Sequence, residues 1–143
     1  MQTKAIAQAY LDEVAALVLA QDWTGYCDCM CQPFHLVTHA ETLIFPTLDD
    51  LRIGYDRFVG LLRSQRVTDF IRLVESAEQI DRDMITARYT THLMSGGTRI
   101  MEPVVSGITL RLEGNRRRAA SITNAVSNSR WPLLMPRLGQ DPL

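Results

Sequence analysis

The chain has 143 residues, 46% of them apolar and 22% charged, with a formal net charge of −1. That length fits one domain spanning residues 1–143 with a hydrophobic core of its own, and the near-neutral charge excludes a general nucleic-acid binder. No run approaches the roughly 18 apolar residues of a membrane span, and Asp12 and Glu13 interrupt the first apolar stretch where a secretory leader would be continuous, so a cytoplasmic protein with no membrane contact is expected.

Residues 2 to 20 predict a helix, with Ile6, Ala9, Tyr10, Val14, Leu17 and Val18 at helical spacing. Asp22 is placed to cap a short second helix running through Trp23, Tyr26 and Met30 and ending at Pro33. Phe34 to Thr38 and Thr42 to Phe45 read as a strand pair. A third helix starts at Thr47, where Asp50 completes a capping-box-like pair, and carries one apolar stripe: Leu48, Leu51, Tyr55, Phe58, Val59 and Leu62.

From Thr68 to Asn128 the pattern changes to strands joined by turn signals at Asp81-Arg82, Gly96-Gly97 and Gly114-Asn115. Helices followed by a strand meander predict an α+β fold, three N-terminal helices covering one face of a curved, mainly antiparallel sheet. A two-residue turn at Gly96-Gly97 sets Leu93 opposite Ile100, Thr91 opposite Glu102 and Tyr89 opposite Val104. That register puts Ile85, Ala87, Leu93, Ile100, Val104, Ile108 and Leu110 on the interior face. A three-residue loop at Gly114-Asn115-Arg116 then pairs Ile108 with Ile122, Val104 with Val126, Ser106 with Asn124 and Glu102 with Asn128. In the Thr68–Ile80 run two phases compete. One turns Phe70, Arg72, Val74 and Ser76 inward, with Arg72 beside Thr91; the other turns Ile71, Leu73 and Ala77 inward.

Cys27, Cys29 and Cys31 are odd in number, which argues against a closed disulfide framework, and no second ligand pair accompanies them, so they read as small buried hydrophobes and no metal site is expected. Seven arginines between Arg99 and Arg137 (Arg99, Arg111, Arg116, Arg117, Arg118, Arg130 and Arg137) face only Glu102 and Glu113 as acids in that stretch. Solvated strand ends and turns account for them better than a basic patch does.

The order of elements resembles the nuclear transport factor 2-like superfamily, and within it the SnoaL-like branch. The stretches that carry the resemblance are DWTGYCDCMCQPF, TLDDLRIGYDRFVGLL, DRDMITARYTTHLMSGGTRI and SGITLRLEGNRRRAASITNAV. It implies a cone-shaped, cystatin-like roll enclosing a pocket, with frequent homodimers through the outer sheet face. It also implies a range of roles from isomerase, cyclase or dehydratase to non-catalytic association module. Catalytic members place an aspartate or histidine base inside the cone. The corresponding late-strand position here reads Ile122-Thr123-Asn124 and carries no carboxylate, so no catalytic residue transfers.

Glu102 is the acid that this register places on the interior face. There it acts as a general base with a perturbed pKa, serves as a structural partner of Arg72 or Asn128, or stands in water at the cone mouth. Tyr89, Thr91, Asn124 and Asn128 form the polar rim around it, and Tyr55 and His35 are further candidates for the wall. His92 falls on the outer face. The expected occupant is a small apolar or cyclic molecule, with no cofactor. The expected assembly is a homodimer whose outer face presents Met84, Met94, Met101 and Val105, with Thr86, Thr90 and Thr109 between them.

Overall fold

The computed structural model describes residues 2–124 and 131–132. Helix α1 (Thr3–Leu19) buries Ala7, Tyr10, Leu11, Val14, Ala15 and Val18, one stripe at three- and four-residue spacing. Ala9 lies outside that stripe and is exposed, whereas Ala7 and Ala15 are the small buried residues that let the helix approach the sheet closely. Asp22 caps α2 (Trp23–Cys27), its Oδ1 accepting the Gly25 N–H at 3.0 Å. Helix α3 (Leu48–Ser64) begins at Thr47. The Thr47 Oγ1 accepts the Asp50 N–H at 3.2 Å and donates its own proton to the Asp50 carboxylate at 2.7 Å. Asp49 and Asp50 in its first turn and Arg63 in its last match the helix dipole.

The strands are β1 (Met30–Val37), β2 (Thr42–Phe45), β3 (Asp69–Gln79), β4 (Met84–Ser95), β5 (Thr98–Arg99), β6 (Val104–Glu113) and β7 (Arg116–Thr123). Among the described residues they form one sheet in the order β2-β1-β7-β6-β4-β3, with the short β5 paired to β4. Neighbours are antiparallel except β1 and β7, which run parallel. The expected α+β architecture, helices on one face of a curved and mainly antiparallel sheet, is the one observed.

The second helix is shorter than its apolar spacing suggests. It stops at Cys27, and Met30 already pairs with Ala119 of β7. Strand pairing with a distant segment wins over local helical spacing here, so Cys27 and Cys31 never share a helix face. Cys29 and Cys31 are buried.

Two registers are reached by a different route from the expected one. The last turn is a tight two-residue turn, Glu113 pairing with Arg116, and the extra residue is a bulge at Ala120. The bulge restores the pairing of Ile108 with Ile122. In β3 the two competing phases are both present, one on each side of a bulge at Glu75. Phe70, Arg72 and Val74 face inward before it, and Ala77 lies opposite inward-facing Ala87 after it. The bulged Glu75 is held from outside by Arg88 (Nε to Oε2, 3.3 Å) and by the Thr90 hydroxyl (2.6 Å).

A third register is changed. Leu93 and Ile100 are paired as expected, the Ile100 N–H donating to the Leu93 carbonyl, but Thr91 lies opposite Val104 and Tyr89 opposite Ser106. Residues 101–103 leave the ladder, because Pro103 has no N–H to contribute and interrupts pairing. The shift is two residues, so Tyr89, Val104 and Ile108 keep the inward face assigned to them while Glu102 loses its place on it. Met101, expected on the outer face, is fully buried. Val126 and Asn128 lie outside the described residues.

Strand β3 is a sheet edge, and α1 covers it. Gln8 donates to the Arg72 carbonyl at 2.6 Å and accepts the Val74 N–H at 2.9 Å, pairing two backbone groups that an edge strand otherwise leaves open. Gln8→Ala removes both bonds. It should lower unfolding free energy in urea by about 1–3 kcal/mol, against less than about 0.5 kcal/mol for the exposed Lys4→Ala control on the same helix.

Candidate functional site

Between the helices and the concave face of the sheet lies a cavity of about 950 Å³. Its walls follow from the elements above. Helix α1 supplies Tyr10, Val14 and Val18, α2 supplies Tyr26, and the stripe of α3 supplies Tyr55 and Phe58. The sheet supplies Phe34 and Leu36 from β1 and inward residues of the meander: Phe70, Arg72, Tyr89, Thr91, Ile108 and Ile122. Asn124 and Trp131 also face it. The wall residues that reach solvent (Glu41, Ile44, Ile53, Arg57, Gly60 and Ser64) place the opening between the β1–β2 end of the sheet and α3.

The wall is largely aromatic, with polar groups at fixed points. Phe58 meets Phe70 and Trp131 edge to face, with ring centroids at 5.7 and 5.5 Å. Tyr26 and Tyr55 are similarly placed at 4.9 Å. Some polar groups are saturated by the protein. The Ser106 hydroxyl donates to Asn124 Oδ1, and the Asn124 amide donates to the Trp131 carbonyl at 2.6 Å. The Tyr10 hydroxyl donates to the Cys29 carbonyl at 2.6 Å. Other polar groups of the lining are not saturated: Tyr55 Oη, Arg72 Nε and Thr91 Oγ1 are buried with no hydrogen-bond partner.

Arg72 is the buried charge of this wall, only 6% exposed. Its Nη2 donates to the Leu11 carbonyl at 3.2 Å. Its guanidinium carbon sits 4.7 Å from the Phe70 ring centroid and 5.6 Å from that of Tyr89. Burial pushes the hydroxyl pKa values of Tyr10, Tyr26 and Tyr89 above the ordinary tyrosine value, and the Arg72 charge opposes that rise in all three. Tyr55 is also raised, again chiefly by burial, with Arg52 opposing. At neutral pH the cone therefore holds one guanidinium among neutral phenols.

Tyr89, Thr91, Asn124 and Tyr55 come together on this wall. His35 does not. It pairs with Ile44 and Ser121 and faces the side of the sheet opposite to Phe34 and Leu36, which line the cavity. Glu102 does not either: the Pro103 interruption takes it off the ladder, and it is exposed and outside the lining. The argument for a desolvated carboxylate at Glu102 goes with that displacement. Asn128 lies outside the described residues. In the sequence Arg72 is an inward neighbour of Thr91 in one of two phases and a partner for Glu102; in the structure it is buried beside Thr91 and away from Glu102. The signal was the alternation Phe70-Arg72-Val74, and the rival phase obscured it.

Residues outside the cavity are engaged elsewhere. Arg116 meets Glu13 at 3.1 Å and the Asp28 carbonyl at 3.0 Å, Arg117 donates to the Asp83 carbonyl, and Arg118 pairs with Glu113 at 3.7 Å. Those contacts spend the basic run on strand ends. His92, on the outer face, contacts Arg99 at 3.1 Å, and partial burial together with that charge lowers its pKa. No helix among the described residues is long and apolar enough to cross a membrane.

Fold and cavity together define an α+β cone that encloses a ligand-sized space. No protein-family model matches the chain, and no curated protein matches it. Solved structures do. One is an NTF-2-like protein of unknown function from Shewanella oneidensis, with 11% identity, a TM-score of 0.61, and coverage of 87% of this chain and 99% of that one. A second, from Nostoc punctiforme, is a domain of unknown function with a cystatin-like fold, with 5% identity, a TM-score of 0.66, and coverage of 86% and 76%. A third is an NTF2-like protein of unknown function from Pseudomonas putida, with 8% identity, a TM-score of 0.64, and coverage of 97% and 96%. This chain has the NTF2-like fold.

All four tyrosines of the chain have raised hydroxyl pKa values in the folded state. Neutral phenols then favour the native state below about pH 10, and that stability is lost as pH rises through the folded values. Ultraviolet titration of native protein should lack the ordinary tyrosinate step near pH 10, with ionisation appearing only together with alkaline unfolding. Denatured protein should titrate all its tyrosines near pH 10. A native step of even one tyrosine at the ordinary value contradicts the burial described here.

Proposed function

We propose that this chain is a small-molecule-binding domain of the SnoaL-like kind, taking a compact, largely apolar or cyclic ligand into the cone. The observation that carries the reading is the cavity itself, about 950 Å³ and walled by Phe34, Phe58, Phe70, Tyr26 and Trp131 with a few fixed polar groups. Such a volume and lining suit a ligand of drug-like size. Binding fits the wall better than carboxylate-driven isomerase, cyclase or dehydratase chemistry. Among the described residues the acid of the lining is Glu41, which is exposed at the opening. With Glu102 outside, proton abstraction has no buried carboxylate to perform it.

A thermal-shift screen of small aromatic and alicyclic compounds tests this reading. A ligand at about a hundred times its Kd stabilises the native state by about 2.7 kcal/mol, which moves the melting temperature by about 5 °C or more. Ile122→Trp fills the cavity from the sheet side and should abolish that shift while leaving the circular dichroism of the fold unchanged. A panel that produces no shift in the parent protein, or shifts that survive Ile122→Trp, speaks against the cone as the binding site.

The outer face of the sheet favours a second role, association with another copy of the chain. Ile71 and Leu73 of β3 are 40% and 52% exposed, and Met84, Met94 and Val105 are half-buried on the same face. The adjoining Glu75–Arg88 pair gives that apolar strip complementary charges at its edge, which suits a self-complementary two-fold contact. A standard interface covers roughly 800 Å² on each partner. Light scattering should report about twice the chain mass, and Leu73→Asp should return it to that of one chain; a monomeric parent protein rules the association out.

A further inference from the structure

The geometry points to Arg72 as the seat of a carboxylate: we propose that the ligand of the cone is an apolar monocarboxylate whose acid group docks on the Arg72 guanidinium beside Thr91. This deepens the small-molecule reading above and rests on it. Arg72 and Thr91 are cross-strand partners on β3 and β4, so register alone brings their side chains together on the cavity wall. Both are more than nine-tenths buried, Arg72 at 6% and Thr91 at 0% exposed. Each also keeps a buried polar atom, Nε and Oγ1, without a partner.

An arginine remains protonated at any physiological pH, so its burial is compensated by partners and not by loss of the proton. The compensation here is incomplete. One N–H group, at Nη2, reaches the Leu11 carbonyl, the neutral Tyr89 hydroxyl is a further hydrogen-bonding neighbour, and the Phe70 and Tyr89 ring faces give the cation a diffuse electrostatic attraction. No described carboxylate forms an ion pair with it. The surrounding hydroxyls of Tyr10, Tyr26 and Tyr89 are neutral phenols and supply no counter-charge. A planar fork of N–H donors with a hydroxyl alongside matches the two oxygens of a carboxylate. The aromatic and aliphatic wall beyond them suits the rest of the molecule. Phosphate esters fit less well, since their second charge would meet only one cation.

Matched probes test the proposal without knowledge of the natural ligand. Calorimetric titration at pH 7 compares 1-naphthaleneacetate with 1-naphthaleneacetamide, and decanoate with decanamide. Each amide keeps the body of its acid and removes the charge. The parent protein should bind at least one acid more tightly than its amide, by roughly ten- to a hundred-fold, the span of one or two charge-assisted hydrogen bonds. Arg72→Met keeps the apolar stem and removes the cation, and should bring acid and amide to equal affinity. Thr91→Val, close in shape, should reduce the preference in part, and serves if the Arg72 variant does not fold. Equal binding of acid and amide by the parent overturns the carboxylate assignment and leaves the small-molecule reading standing. A preference for acid that survives Arg72→Met also overturns it. Failure of all four probes to bind counts against both.

Discussion

Two extra residues, Glu75 in β3 and Ala120 in β7, decide which side chains face the cavity. A strand alternates faces strictly, so a curved sheet that must keep one concave face over many residues needs places where the phase is reset. At Glu75 the reset lets Phe70, Arg72 and Val74 face the cone while Ala77 still lies opposite Ala87. At Ala120 it lets Ala119 lie opposite Leu110 on one side and Ile122 opposite Ile108 on the other. Without the second bulge the tight turn at Gly114-Asn115 would send Ile122 and Asn124 outward, and the Ser106–Asn124–Trp131 chain of hydrogen bonds could not form. The third interruption, at Pro103, shifts pairing by two residues and so preserves the faces while removing Glu102 from them.

Helix α1 links the β3 edge of this sheet to the start of β1 and to β7. On one side Gln8 pairs with the backbone of β3 across residues 72 to 74. On the other, Tyr10 donates to the Cys29 carbonyl, which also accepts the Ala119 N–H at 2.9 Å. One carbonyl thus ties α1, the start of β1 and the bulged part of β7 together. Ala7 and Ala15 permit the approach, since a larger residue at either position would lift the helix away from its partners. The arrangement fixes the cavity wall at Tyr10 and Val14 and leaves the opposite wall, α3, to be set by its aromatic contacts with Phe70, Trp131 and Tyr26.

A buried guanidinium is an unusual feature in such a wall, and its surroundings say what it can do. Apolar burial around the cone is favourable at about 25 cal/mol per Å² removed from water. A cation held there with one carbonyl, one neutral phenol and two ring faces gives part of that back. Replacing a buried charge by a well-packed apolar residue is often neutral or stabilising, so Arg72 is poorly explained as a device for stability alone. The raised pKa values of the tyrosines belong to the same picture: the phenols remain neutral donors, and the buried charge on the wall, Arg72, is positive.

The sequence by itself determined the elements and the class of fold. Helical spacing placed α1 and α3, turn pairs separated the strands of the meander, and alternation put Tyr89, Val104, Ile108 and Ile122 on the inward face. It determined part of the site by the same alternation, since Tyr89, Thr91 and Asn124 are polar residues of that face and Tyr55 lies on the α3 stripe. Tertiary structure decided the rest. Whether an extra residue sits in a turn or in a bulge depends on which pairing buries both faces best across several strands, and local sequence does not contain that comparison. The same is true of Met30, which has helical spacing to Trp23 and Tyr26 yet pairs with Ala119. Glu102 and Arg72 changed importance for one reason: the buried environment of a charged side chain is set by neighbours distant in the chain, so its solvation could be settled only once the sheet had closed over the cavity.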